Sequence, residues 1–142
     1  MWADTLLAAE RAHLLRLALW GAASLLIGTA MVAVLRLGRP RSPLLEHFGI
    51  QTGAWGAVEL GVALLLLPSL ALRDLSGATR LDRRVWMNIG LDVGYVLVGI
   101  TLVVIGWRAV RRFGLVGAGM AMVLQGAALA VLDLLLAGQI SR

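Results

Sequence analysis

Cysteine and lysine are absent from this sequence of 142 residues, and charged residues are scarce. The absence of cysteine excludes disulfide bonds, thiolate metal sites, iron–sulfur clusters and covalently attached c-type haem. Charged residues make up 15% of the chain and hydrophobic residues 60%, whereas a soluble domain has about 25% charged and about 45–50% apolar residues. With a mean hydropathy of +0.88, these deviations indicate a membrane protein.

Motifs of catalysis and of ligand binding are also missing. The sequence contains no Ser/His/Asp set, no HExxH and no phosphate-binding loop, which are common marks of enzymes and nucleotide sites. The two histidines, His13 and His47, fall on opposite sides of the membrane in the topology below, so they cannot bind one haem iron. We therefore predict no catalytic role, no metal and no cofactor, and we expect His13 to face solvent or headgroups.

Four apolar runs predict four membrane-spanning helices. An interfacial lead-in covers residues 1–16, and the spans cover about residues 17–36, 48–72, 85–107 and 114–137. Each run is near the ~20 residues that a helix needs to cross the hydrocarbon core. The first run is longer than the apolar core of a signal peptide and ends in Arg36-Leu-Gly-Arg39, so it is a retained span. Residues 1–142 are predicted to form a single membrane domain.

The number of spans and the arginines bear on orientation and partners. Four spans place both termini on one side. Of the 13 arginines, seven lie on the side of the termini and six on the other, so the positive-inside rule gives only a small bias towards cytoplasmic termini. Arginines beside apolar runs favour anionic lipid headgroups as partners. No basic patch is interleaved with aromatic residues, so nucleic acid is not expected.

Local signals predict where helices begin and end. Ser42 before Pro43 is a typical N-cap followed by a proline at the first helical position, so the second helix is predicted to begin near Pro43. Pro68 is predicted to kink or end that helix. Thr79-Arg-Leu-Asp82 resembles a capping box and predicts the start of the third helix.

Membrane depth follows from the helical rise. Trp86 and Trp107 bracket the third span about 31 Å apart, as aromatic residues do at the two interfaces of a membrane. His47 lies about one turn into the second helix and is predicted to be interfacial. Glu59 lies roughly 18 Å further along that helix, which places it close to the bilayer midplane.

Two stripes on the second helix predict neighbours on two faces. A spacing of four gives a polar stripe of His47, Gln51, Trp55 and Glu59. The same spacing gives a small stripe of Gly49, Gly53, Ala57 and Gly61. An offset of two residues turns a helix by about 200°, so the stripes lie almost opposite each other. Small faces, including the Gly90 and Gly94 pair, let another helix approach, so we expect other membrane helices as partners, in a homo-oligomer or a larger complex.

The two halves of the chain resemble each other. Gln51 precedes Glu59 by eight residues, and Gln125 precedes Asp133 by eight as well. This spacing predicts a tandem duplication, with repeat units at about residues 14–72 and 83–140. The predicted fold is therefore an all-α, integral membrane four-helix bundle built of two tandem helical hairpins.

Three acids within the apolar spans need an explanation, because a charge at that depth costs a few kcal/mol. They are Glu59, Asp92 and Asp133. In one interpretation, hydrogen bonds to polar neighbours fix the helix register, and these neighbours are Gln51, Gln125, Asn88 and Tyr95. In the other, the acids form a proton or cation path. A cavity that reaches Glu59 would favour the path, and dry contacts with Gln or Tyr would favour the structural role.

Three motifs carry a resemblance to a known family. They are His47-Phe-Gly-x-Gln-x-x-x-Trp-Gly56, Asn88-x-Gly-Leu-Asp-x-Gly-Tyr95 and Gln125-Gly with Asp133. Together they resemble an uncharacterised bacterial family of small four-span membrane proteins, over about residues 44–137. The resemblance implies a fold and a location but no activity. The first functional hypothesis is therefore a non-enzymatic accessory or scaffold subunit that acts through helix packing, and the alternative is a small proton- or cation-coupled transporter.

Overall fold

The chain forms four long helices joined by short connections. The computed structural model describes residues 2–38 and 41–140, so Arg39 at the end of the first apolar run lies outside the described residues. The helices are α1 (Trp2–Leu37), α2 (Pro43–Leu66), α3 (Leu75–Val104) and α4 (Phe113–Ile140). Including short helical turns that extend α2 and α3, each is long and apolar enough to cross a membrane. This confirms the predicted all-α, four-helix architecture and indicates an integral membrane protein.

The ends of α2 follow the predicted signals. The Ser42 side chain accepts a hydrogen bond from the Leu45 backbone N–H at 3.4 Å, and Pro43 is the first residue of the helix. The α-helix ends at Leu66, and a single 3₁₀ turn containing Pro68 follows it. A proline ring clashes with the preceding turn of an α-helix, which accounts for the change at this point.

The start of α3 differs from the prediction. The cap is Asp74, whose carboxylate accepts hydrogen bonds from the Gly77 backbone N–H at 2.7 Å and from the Ser76 hydroxyl. Thr79 lies within the helix and donates to the Leu75 carbonyl oxygen, so the predicted capping box is wrong. Asp is a stronger N-cap residue than Thr, and it stands earlier in the chain.

The four helices pack as two hairpins, as predicted. One hairpin pairs α1 with α2 and the other pairs α3 with α4. The hairpins meet mainly through α2 and α4, and α1 also touches α4. Within the described residues, no Cα atom of α2 lies within 8 Å of one in α3. The bundle therefore leaves a gap between these two helices.

Glycines set the distance between helices within each hairpin. A Cβ atom at Gly28 of α1 would lie 2.6 Å from the Gly49 carbonyl oxygen of α2. In the other hairpin, a Cβ atom at Gly99 would lie 2.7 Å from the Gly119 carbonyl oxygen. Because real Cβ atoms do not approach other atoms so closely, a larger residue at either position would force the helices apart.

The small stripe predicted on α2 packs along only part of its length. Gly49 and Gly53 are buried against α1, and the contact continues through Gly56. Ala57 is exposed, and a Cβ atom at Gly61 would meet no described atom within 4 Å. A step of four residues advances about 40° beyond a full turn, so Gly61 points about 120° away from Gly49. The face of α2 that packs against α1 therefore follows the small stripe at Gly49 and Gly53 but not at Ala57 and Gly61.

The N-terminal segment is a continuous part of α1. Residues 2–16, for which we predict an interfacial lead-in, join the first span without a break. Leu6, Glu10 and Leu14 are buried there. With 36 residues, α1 is about 54 Å long and exceeds the ~30 Å hydrocarbon thickness. The segment thus extends the bundle at the end that carries the α2–α3 connection.

Candidate functional site

A groove lies between α2 and α3, where their backbones are apart. Its volume is about 340 Å³. Trp55, Val62 and Leu66 line it from α2, and Leu91 and Tyr95 line it from α3. Val62, Leu66 and Leu91 are also exposed at the outer surface of the bundle. The mouth of the groove therefore opens sideways, onto the surface that lipid chains cover in a membrane.

The floor of the groove is polar. His13 Nε2 of α1 lies 3.4 Å from Asp133 Oδ1 of α4, and His13 Nδ1 lies 3.3 Å from the Leu132 carbonyl oxygen. Asn88 of α3 lines the groove together with Asp133. The expectation that His13 faces solvent or headgroups is therefore wrong, because the unbroken α1 directs this ring against α4. In the part of the chain that the structure describes, no three His, Asp or Glu side chains form a metal-binding group.

Asp92 and Glu59 are buried without full hydrogen bonding. Asp92 is 9% exposed and Glu59 is 4% exposed. Among the described residues, Asp92 Oδ2 and both carboxylate oxygens of Glu59 have no hydrogen-bond partner. Asp92 lines the groove and interacts electrostatically with Glu59 and Asp133. Buried polar atoms are nearly always paired, so these carboxyl oxygens are exceptions that need an explanation.

Glycines make room for these two acids at helix contacts. A Cβ atom at Gly21 of α1 would lie 3.1 Å from the Cβ atom of Glu59. A Cβ atom at Gly126 of α4 would lie 2.9 Å from the Asp92 carbonyl oxygen. The small residues therefore let α1 and α4 close over the acids, which accounts for their burial.

A second cavity extends the polar region towards one end of the bundle. It has a volume of about 200 Å³ and shares His13, Asn88 and Asp133 with the groove. Glu10 and Arg73 also line it. The buried Glu10 carboxylate accepts two hydrogen bonds from the Arg73 guanidinium, and this pairing raises the pKa of Arg73. The polar floor thus adjoins the end of the bundle that carries the α2–α3 connection.

The two glutamines form hydrogen bonds with residues other than the three acids. Gln51 Nε2 donates to the Tyr95 hydroxyl at 2.8 Å. The Gln125 side-chain oxygen accepts from the Trp20 indole N–H at 2.6 Å, and its nitrogen donates to the Ser24 hydroxyl at 3.0 Å. The amides therefore link α2 with α3 and α1 with α4, and the acids are left to one another, to His13 and to Asn88.

Several polar residues of the structure were not predicted from the sequence patterns. Thr52 is buried, and its hydroxyl has no hydrogen-bond partner among the described residues. Its spacing from Gly49 and Gly56 places it on the packed face of α2, so that spacing could have identified it. Glu10 and Arg73 are 63 residues apart in sequence, and no local pattern connects them.

The predicted interfacial residues lie on the outer surface. Trp86 is exposed within α3, and Trp107 is exposed in the helical turn that extends α3. His47 is exposed near the start of α2, with Nδ1 2.9 Å from the Pro43 carbonyl oxygen. None of these three residues lines the groove.

Comparisons with known proteins give a family without an activity. The chain belongs to DUF6992, a family of unknown function, whose sequence pattern matches residues 16–134. This membership confirms the resemblance to an uncharacterised family over most of the chain. Neither a curated protein nor a solved structure matches it.

Proposed function

We propose that this protein is a small proton- or cation-coupled transporter that uses the carboxyl groups of Glu59, Asp92 and Asp133. The observation that carries the proposal is the burial of Glu59 and Asp92 with carboxyl oxygens that no described residue pairs. Ionisable residues within a membrane span are expensive, and they commonly mark ion pathways. The proposal assigns no catalysis to these residues.

The contacts of the glutamines also support transport over a purely structural role for the acids. If the acids fixed the helix register through the two glutamines, they would bind Gln51 and Gln125, but Gln51 binds Tyr95 and Gln125 binds Trp20 and Ser24. Asp92 and Asp133 instead line a groove, whereas Glu59 is not among the described residues that line it. A group that must bind and release a proton benefits from such incomplete pairing, since a stable hydrogen bond would favour one protonation state.

A liposome flux assay tests the proposal. The purified full chain is reconstituted with a pH gradient and a pH-sensitive dye inside the vesicles. We expect proton flux well above that of protein-free vesicles, and we expect Glu59→Gln to lower it at least tenfold. Glu46→Gln is the matched control, because Glu46 is paired with Arg36 at the other end of the bundle and its variant should keep the flux. Absence of flux from the unmodified chain would overturn the proposal.

A second candidate function is that of an accessory or scaffold subunit in a homo-oligomer or larger complex. It is favoured by Gly90 and Gly94, where an added Cβ atom would meet no described atom within 4 Å. A bare face of this kind suits a partner helix. We expect Gly94→Leu to shift the purified protein to a smaller oligomer in cross-linking experiments. Gly138→Leu, at another open helix position, is the control and should leave the oligomer unchanged.

Location and orientation complete the proposal. We place the protein in a bacterial inner membrane, with both termini in the cytoplasm and the arginines against anionic headgroups. Cysteines introduced singly at Ser76 and at Leu37, which lie at opposite ends of the bundle, can be labelled from one side of intact cells. If the cysteine at position 76 were labelled from outside the cell, the orientation would be the opposite of the one proposed.

A further inference from the structure

We propose that the groove between α2 and α3 binds an amphipathic organic cation, an ammonium group with an aromatic or alkyl tail. The proposal rests on the transport function above and deepens it, because it names a substrate class for two of the same acids, Asp92 and Asp133, which line the groove. It rests on the shape of the groove, on its charge and on its aromatic side chains.

The shape of the groove suits an apolar tail. Val62, Leu66 and Leu91 form its outer walls and are themselves exposed on the bundle surface. A ligand can therefore enter sideways from the lipid, with its tail against these residues and its head towards the floor. The volume of about 340 Å³ falls within the range of about 300–1,000 Å³ of small-molecule sites.

The charge of the floor suits a cationic head. Asp92 and Asp133 line the groove together with the single basic group His13, and no arginine is among the described residues that line it. Asp92 is nine-tenths buried, and its Oδ2 atom lacks a partner. An ammonium N–H would supply the missing hydrogen bond and a compensating charge. A carboxylate ligand would instead add to the repulsion.

The aromatic residues favour an organic cation over a metal ion. Trp55 and Tyr95 both line the groove, and their rings meet edge to face with centroids 5.0 Å apart. Gln51 holds the Tyr95 hydroxyl in place. Ring faces attract ammonium groups through cation–π interaction, whereas hard metal ions need several oxygen ligands. The walls of this groove are mostly apolar.

Binding of the cation should compete with binding of a proton. The groups that face Asp92 are His13 of α1, Glu59 of α2, Tyr95 of α3 and Asp133 of α4. An ammonium group favours the ionised carboxylate, so it displaces a proton wherever the carboxyl is protonated before binding. Affinity for the cation should then rise with pH, and the released proton connects cation movement to proton movement.

The test is calorimetric titration of the full chain in nanodiscs of zwitterionic lipid, with protein-free nanodiscs subtracted. Three probes share one phenylbutyl tail and differ in the head: 4-phenylbutylamine in its ammonium form, 4-phenylbutanol and 5-phenylpentanoate. We expect the ammonium to bind at least tenfold more tightly than the other two. Equal affinity for the alcohol and the ammonium, or no saturable binding of the ammonium, would overturn the proposal.

Variants locate the binding site. Asp92→Asn should weaken ammonium binding at least tenfold, whereas Asp82→Asn makes the same change elsewhere on α3 and should have no effect. Because Asp92→Asn can perturb the fold, Leu91→Trp provides an independent test: it fills the mouth of the groove from an exposed position and keeps every acid. Unchanged affinity in a folded Leu91→Trp protein would contradict binding in the groove.

The outcomes separate this proposal from the transport function on which it rests. Proton flux without ammonium binding would retain the transporter and reject the substrate class. Selective ammonium binding without any flux would retain the binding site and reject transport.

Discussion

Two buried polar side chains, Gln125 and Glu59, lie within the same apolar bundle, and they differ in whether described residues pair with them. Gln125 is 0% exposed, and both ends of its amide are paired, with Trp20 and with Ser24. Glu59 is 4% exposed, and neither carboxylate oxygen is paired with a described residue. The two side chains are therefore about equally buried, but described residues pair with the amide of Gln125 and not with the carboxylate of Glu59.

The difference indicates different roles for the two side chains. A paired amide between helices stabilises the fold, because its loss would leave the partners unsatisfied. An unpaired carboxyl costs stability, and such costs are concentrated at functional sites. The comparison leads to the expectation that substitutions at Gln125 act on stability and substitutions at Glu59 act on function.

The largest expected effect on stability is at Gln125. Gln125→Leu leaves the Trp20 indole N–H and the Ser24 hydroxyl without partners, and we expect it to lower the free energy of unfolding by about 2 kcal/mol. The measurement is a denaturant titration of the protein in mixed micelles, followed by circular dichroism. Gln139→Leu is the matched control, because Gln139 is exposed near the end of the same helix. If Gln125→Leu were as stable as Gln139→Leu, the proposed difference in role between Gln125 and Glu59 would be contradicted.

Glu59 should respond in the opposite direction. Glu59→Met replaces the unpaired carboxyl with an apolar side chain of similar length, so we expect stability to stay unchanged or to rise by up to about 1 kcal/mol. The same titration measures it, and the liposome assay should show loss of flux in this variant. Destabilisation as large as that of Gln125→Leu would mean that Glu59 holds the fold together.

The bundle was predictable because bilayer thickness dictates the length of an apolar run. Runs of that length, with Ser42 and Pro43 at one start, are visible without knowledge of any tertiary contact. The site was less predictable, since Gln125 and Glu59 are equivalent in sequence terms: each is a polar residue in an apolar span. Their difference arises from α1, which brings Trp20 and Ser24 to Gln125 across more than 100 residues.

Helix rotation limited the prediction in a second way. The spacing of four that defines the polar stripe on α2 drifts about 40° per step, so Glu59 is buried while His47 at the other end of the stripe is exposed. The gap between α2 and α3 was also not predictable from the sequence. It depends on which helices become neighbours, and the apolar runs do not indicate which helices pack together.

A smaller effect is expected at Trp20. Trp20→Phe keeps an aromatic ring but removes the N–H that donates to Gln125, so we expect a loss of about 0.6 kcal/mol, the average for hydrogen bonds between membrane helices. The control is Trp86→Phe at an exposed position. In the Gln125→Leu background the Trp20→Phe cost should disappear, since the acceptor is already missing. An undiminished cost there would assign the effect of Trp20 to packing.

The smallest expected effect concerns Asp74, an acid outside the spans, which contrasts with Glu59 because each of its carboxylate oxygens accepts a hydrogen bond. The Gly77 backbone N–H and the Ser76 hydroxyl lower the pKa of Asp74 below its ordinary value of 3.8. A lowered pKa contributes stability that is fully present above the ordinary value and is lost as the pH falls through the lower, folded value. Asp74→Asn retains an N-cap side chain but does not titrate. The unmodified protein should therefore be more stable than Asp74→Asn at neutral pH, and this advantage should shrink as the pH falls below 3.8. Because the acids of the groove titrate in both proteins, they cancel in the difference, and a difference independent of pH would contradict the assignment of Asp74 as a charged cap.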